Sequence, residues 1–251
     1  MRATSIKKEL RKGFEMTNLG YVHYYLDIEV TQHSKFIFLS QKKYIGDLLN
    51  RFGMDECNPL TTPMEHNLNL TSIEGKEFED AMKYKQRVGS LNYLTTTRSD
   101  ISFVVGILSR IMKKPCEGHW FATKRVIKYL NGTQDFELKY TQVPDFSLIG
   151  YSDSYFEGDK QNGVSTSGLV MSLGLGAVSY RSLKQSVPSY STTEVTKEIV
   201  RLKKILEDLQ GKQVHSTPLL IDNTSAINLA KNQKFHDRTK HINTKCVQNT
   251  I

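Results

Sequence analysis

The sequence contains no run of eighteen apolar residues, so it offers no transmembrane helix. Its three cysteines, Cys57, Cys116 and Cys246, are far apart and form no CxxC pair. That spacing excludes a zinc knuckle or a disulfide framework and leaves them as structural or incidental thiols. The opening stretch, MRATSIKKELRKGF, carries charge but no apolar segment, which excludes a secretory signal. An intracellular protein is the resulting expectation, with nothing to separate cytoplasm from nucleus. No internal repeat is visible. What is present is a foldable composition, with 38% hydrophobic and 24% charged residues. The 251 residues suffice for one large domain or two modest ones.

The formal net charge is +8. Residues 1–145 hold 21 Lys+Arg and 17 Asp+Glu, and residues 146–251 hold 13 and 9, so each part carries +4. A positive surplus in both parts fits contact with a phosphate backbone, although many basic proteins bind no nucleic acid.

Local patterns predict an α/β chain. A helix is expected over residues 5–16, where Ile6, Leu10 and Phe14 recur every four residues. Strands follow at Tyr21 to Val30 and Phe36 to Leu39, with the polar turn TQHS between them. Ser40 then caps a helix in SQKKYIGDLLNRFGM, whose Tyr44, Leu48, Leu49 and Phe52 form a core stripe ended by Gly53. Residues 55–80 show no period and read as a loop or linker. Helical signal runs from Tyr84 to Met112 with a break near Arg98, and Pro115 stops it.

The segment HWFATKRVIKYLNGT is an amphipathic helix. Ala122, Val126, Tyr129 and Leu130 mark its apolar side, and Lys124, Arg125 and Lys128 share the other. That cationic face is either simply solvated or a phosphate-contacting surface.

TQVPD marks a domain boundary, giving domains at 1–140 and 146–251. The second reads βββαβα: strands SLIGYSD, SGLVMSL and AVSYRS, a helix from Thr193 to Leu209, strand TPLLID and helix NTSAINLAKN. Three consecutive strands predict an antiparallel meander, joined by a later strand after the helix.

Asp153 and Asp222 each end an apolar strand-like run, where carboxylates can gather around Mg2+. Each could equally be a turn or capping residue.

Many motifs occur in order: FEMTNLG, LSQKKYIGDLLNRFGM, TTPM, VGSLNYLTTTRSDISFVV, LSRIMKKP, HWFATKRVIKYLNGT, GYSDS, STSGLV, STTE, IDNTSAINLAKN and FHDRTKHI. Together they resemble the Pol polyprotein of copia-type LTR retrotransposons, from just past the polymerase active site into ribonuclease H. The resemblance implies a thumb-and-connection region of reverse transcriptase, then a ribonuclease H-like mixed sheet with helices. It implies two Mg2+ ions and cleavage of the RNA strand of an RNA–DNA hybrid. The other implied partner is the rest of a polyprotein. Asp153 and Asp222 match two catalytic carboxylates. His236, Arg238, Lys240 and His241 fall in a tail placed near the substrate.

The departures matter equally. The polymerase's YVDD-type carboxylates belong upstream of residue 1, so DNA synthesis by this chain alone is not expected. STTE runs almost directly into KEIVRLKKIL, where the family has a longer stretch bearing a metal-binding Glu. Glu194 is the first candidate to replace it and Glu198 the second. Tyr155 stands where the family repeats an Asp, and the family's last acidic motif is missing. The expectation is a Pol fragment with impaired nuclease activity. Its alternatives are a non-catalytic nucleic-acid-binding module and a non-functional transposon relic.

Overall fold

The computed structural model describes residues 2–18, 20–66, 68–142, 147–155, 166–184, 190–210 and 217–221. Among these, six α-helices and two four-stranded sheets form a mixed α/β architecture.

The first helix, α1 (Arg2–Gly13), leaves Leu10 and Phe14 exposed, so its predicted apolar stripe has little cover. The first predicted strand is broken in two. β1 (Tyr24–Tyr25) and β2 (Ile28–Gln32) form a hairpin around Leu26 and Asp27. β3 (Phe36–Ser40) pairs antiparallel with β2. Its other neighbour is β4 (Leu138–Thr141), which arrives about a hundred residues later to complete the order β1-β2-β3-β4. Local pattern does not predict this strand, because FELKY is too short to show a period.

Helix α2 (Lys42–Arg51) begins after Gln41, one residue later than predicted. Ser40 is the last residue of β3, yet its Oγ still accepts from the Lys42 N–H at 3.2 Å. The helix ends as expected. Gly53 takes φ +61°, the Met54 N–H reaches the Leu49 carbonyl at 2.9 Å, and the Gly53 N–H reaches Asn50 at 3.1 Å. The next helical run divides near Arg98 into α3 (Ala81–Leu94), capped by Asp80, and α4 (Ser102–Arg110). Helix α5 (Glu117–Gly132) follows. These helices share one core that includes Leu48, Leu91, Leu108, Val126, Ile127 and Leu130.

Residues 55–80 are bound along α5 rather than linking domains. The Leu60 N–H reaches the Lys128 carbonyl at 3.2 Å, Asn131 Nδ2 donates to the Cys57 carbonyl at 2.8 Å, and the Glu117 N–H reaches Lys76 at 3.0 Å. The buried His119 joins the start of α5 to the middle of this strap. Its Nδ1 accepts from the Cys116 N–H at 2.9 Å, so the proton sits on Nε2, 2.9 Å from the Leu70 carbonyl. Gly118 is needed for this fit, since an added Cβ would lie 2.5 Å from Ile73 Cγ2. Gly118→Ala is therefore expected to destabilise the fold by about 1–3 kcal/mol. Thermal melting checks this, and an unchanged midpoint would show that the strap yields freely.

The second sheet has the order β7-β6-β5-β8. β5 (Leu148–Tyr155), β6 (Thr166–Leu173) and β7 (Gly176–Lys184) form the predicted antiparallel meander, with a bulge at Met171/Ser172. α6 (Tyr190–Gln210) crosses over to β8 (Leu219–Ile221), which pairs parallel with β5. Val195, Ile199, Leu202 and Leu206 of α6 bury Leu148, Leu169 and Met171. On the other side of the sheet Tyr151, Val170 and Leu220 remain exposed, although they are direct strand partners. Helix α6 starts three residues before the predicted Thr193 and covers its own face well. The two sheets meet where the Tyr140 hydroxyl donates to the Ala177 carbonyl at 2.5 Å.

Candidate functional site

Three regions are candidates for a functional site. The first is the N-terminal hairpin. Tyr25 pairs with Ile28, leaving a two-residue turn in which Leu26 has φ +47° and Asp27 φ +53°. Neither residue is glycine, so the turn holds strain of about 1 kcal/mol or more per residue. Outside contacts hold it: the Tyr93 hydroxyl of α3 donates to the Leu26 carbonyl, and the Tyr24 hydroxyl donates to Asp27 at 2.8 Å. That hydrogen bond, first among several causes, pushes the Tyr24 pKa up to about 12. The result is a braced ribbon presenting aromatics to solvent, with Tyr21 78% and Tyr25 64% exposed. Lys43 Nζ lies 5.4 Å from the Tyr24 ring, and α1, with Lys7, Lys8, Arg11 and Lys12, precedes the ribbon in the chain. Sequence patterns do not predict this feature. Its only signal is Leu-Asp between aromatic and β-branched residues, without the glycine that normally marks such a turn.

The second region is the cationic face of α5. Arg125 is committed to the strap, donating to Glu65 and to Thr62, each at 3.0 Å. Lys124 lies over the Trp120 and Phe121 rings at 5.6 and 5.4 Å. Among the described residues neither Lys124 nor Lys128 has a carboxylate partner. Of the three predicted cations, these two lysines are therefore the ones not committed to a carboxylate.

The third region is the second sheet. Asp153 lies in β5, paired with Gly168. Asp222 is outside the described residues, but the residue before it, Ile221, is the Cα partner of Ser152, the residue before Asp153. Glu194 falls in α6, one turn before Glu198. His236, Arg238, Lys240 and His241 lie outside the described residues.

Glu198, the second candidate ligand, has a different role. It is buried against β7, two strands from β5. Ser179 donates to its Oε1 at 2.6 Å, and Arg201 donates through Nε at 2.9 Å and Nη2 at 2.6 Å. Arg181 Nη2 stands 3.7 Å from Oε2. These hydrogen bonds, Arg201's first, outweigh burial and hold the carboxyl pKa down at about 2. A carboxylate that accepts from Ser179 and twice from Arg201, with Arg181 paired beside it, is not free to bind a cation, so Glu198 does not fit a metal site. Among the described residues no group of three His, Cys, Asp or Glu is placed to hold a metal ion. Nor, among them, is any helix long and apolar enough to cross a membrane.

Residues 2–66, which include the hairpin, match the family model for reverse transcriptase (RNA-dependent DNA polymerase). The chain is 35% identical to the retrovirus-related Pol polyprotein from transposon TNT 1-94 of Nicotiana tabacum, over 96% of this chain and 19% of that protein. It is 37% identical to the corresponding polyprotein from transposon RE2 of Arabidopsis thaliana, over 93% of this chain and 17% of that protein. It also matches an uncharacterized mitochondrial protein of Arabidopsis thaliana at 35% identity, over 74% of this chain and 77% of the other. The chain thus spans less than a fifth of the length of the Pol polyproteins. No solved structure matches it significantly. The ordered motifs, the family model and these relatives agree, and the chain belongs to the copia-type retrotransposon Pol polyprotein family.

Proposed function

We propose that this chain is a nucleic-acid-gripping part of a retrotransposon Pol polyprotein, with little or no ribonuclease activity of its own. The observation that carries the reading is the strained hairpin that exposes Tyr25, with exposed Tyr21 just before it in the chain and Lys43 over the ring of Tyr24. Aromatic faces stack on bases regardless of sequence, and cations neutralise the adjacent phosphates. Lys124 and Lys128 of α5 add a second basic surface, and Arg238, Lys240 and His241 are the tail's candidates. The partner is an RNA–DNA hybrid or a related template–primer.

Mg2+ is the ion expected for the family, and Asp153, Glu194 and Asp222 are the residues that would hold it. The pairing of Ser152 with Ile221 favours a ribonuclease H-like arrangement for the two aspartates. Against a working site stands Glu198, which is committed to Arg201 and Arg181. Two aspartates then have only Glu194 to complete the set, which leaves the ions poorly held and cleavage weak or absent. The two domains, 1–140 and 146–251, are proposed to divide the labour between grip and the relict nuclease fold.

Binding of a labelled RNA–DNA hybrid, followed by fluorescence anisotropy, tests the grip. The double variant Tyr21→Ala, Tyr25→Ala is expected to bind about 5- to 150-fold more weakly, as the loss of about 1–3 kcal/mol of stacking requires. Wild-type affinity in that variant would remove the hairpin from the interface. Cleavage of the hybrid in Mg2+ that vanishes in Asp153→Asn would instead establish a working ribonuclease H.

A further inference from the structure

We propose that Arg181 and Arg201 form a preorganised clamp for a backbone phosphate of nucleic acid, with Glu198 as its positioning residue. The inference rests on the nucleic-acid reading above and adds a site in the second sheet. β7 places Arg181 opposite Leu169, on the side that α6 covers. α6 places Glu198 and Arg201 three residues apart, one turn along the same face.

The arrangement differs from an ordinary surface ion pair. The Glu198 side chain is 5% exposed, whereas those of Arg181 and Arg201 are 49% and 52% exposed. Ser179 and Arg201 fix the carboxylate, which in turn holds the Arg201 guanidinium by two hydrogen bonds and attracts that of Arg181 as an ion pair at 3.7 Å. Two cations share one anion, leaving a local charge of +1, equal and opposite to one phosphodiester. Each guanidinium has five N–H donors. Arg201 directs two of its nitrogens at Glu198, and Arg181, at 3.7 Å, is beyond hydrogen-bond distance from it. Both side chains are about half exposed, so the donors not spent on Glu198 are available to phosphate oxygens. For Arg201, side-chain ordering, normally a cost of binding, is already met in the free protein.

The test measures anisotropy of a labelled RNA–DNA hybrid against salt, using wild type, Arg181→Gln, Arg201→Lys and Lys85→Gln, an exposed control on α3. Arg181→Gln removes the cation least engaged with Glu198, so the fold is retained, which its thermal midpoint checks. The slope of log K against log salt is expected to become shallower by about 0.9 in Arg181→Gln, the change that one fewer neutralised phosphate produces. Lys85→Gln is expected to keep the wild-type slope. Arg201→Lys keeps its charge but loses the fork, so it is expected to weaken binding several-fold at unchanged slope. A folded Arg181→Gln with wild-type slope and affinity overturns this inference alone. Failure of the wild type to bind overturns both it and the reading beneath it. Displacement of the hybrid by inorganic phosphate at matched ionic strength would reassign the clamp to free phosphate and overturn the nucleic-acid assignment.

Discussion

Replacing Asp100 with alanine is expected to lower the folding free energy by about 3–5 kcal/mol, more than any other substitution proposed for this chain. The reason is the charge left behind. The Arg98 side chain is 2% exposed, and it donates to Asp100 through Nε at 3.0 Å and Nη2 at 2.7 Å. Its other contacts, the Thr133 carbonyl at 2.9 Å and Thr133 Oγ1 at 2.6 Å, carry no charge. The Tyr129 hydroxyl completes the network by donating to Asp100 Oδ2 at 2.7 Å. The break between α3 and α4 is thereby fastened to the end of α5. Burial pushes the Asp100 pKa up, but the Arg98 hydrogen bonds and charge, with Tyr129, outweigh it and the net shift is downward. A carboxyl depressed in the folded state stabilises above its unfolded pKa, and that contribution fades as pH falls through the folded value. Glu198, held at about 2, acts in the same window. Wild type is therefore expected to lose stability steadily below about pH 4, and Asp100→Ala to lose less over that range. Thermal melts of both proteins across acid pH check this, and parallel curves would contradict it.

The opposite sign is expected at Arg87. Arg87→Met is predicted to stabilise the chain by about 1–4 kcal/mol. The arginine is 2% exposed, with its guanidinium 3.6 Å from the Trp120 ring and 4.6 Å from Phe52. Its hydrogen bond to Thr123 Oγ1 is long, at 3.4 Å, and Nε has no partner. No carboxylate pairs with it among the described residues. Ring stacking returns up to about 2 kcal/mol, less than the desolvation of a cation costs. Burial pushes the Arg87 pKa down to about 10. For a base with a lowered folded pKa, the penalty applies below that value and is relieved as pH rises through it. The advantage of Arg87→Met is therefore expected to shrink above about pH 10. Denaturant unfolding measures the difference, and a less stable Arg87→Met would show that the stacking outweighs desolvation.

Elements with a clear period were legible in the sequence. The stripe of α2, the apolar side of α5 and the meander β5–β6–β7 all have spacing that matches burial. The strap was not, because residues 55–80 gain their order from bonds to α5 rather than from a period. β4 was hidden for a related reason: its pairing with β3 is set across a hundred residues and not by local pattern. At the candidate site, Asp153 and Glu198 both stand out as acidic positions. Only tertiary packing reveals that Glu198 serves two arginines. Arg98 and Asp100 stand within the motif VGSLNYLTTTRSDISFVV, yet their network is completed by Thr133 and Tyr129 from the far end of α5. The tyrosine hairpin is hidden because its turn defies residue preference and persists through the brace from Tyr93.

The central claim is grip without cutting, and one measurement addresses both parts. A labelled RNA–DNA hybrid is incubated with the wild-type chain in Mg2+, and binding and strand integrity are followed as salt is raised. The account predicts an intact hybrid, bound at low salt and released steeply as salt increases. A cleaved RNA strand, or no salt-dependent binding, would contradict it.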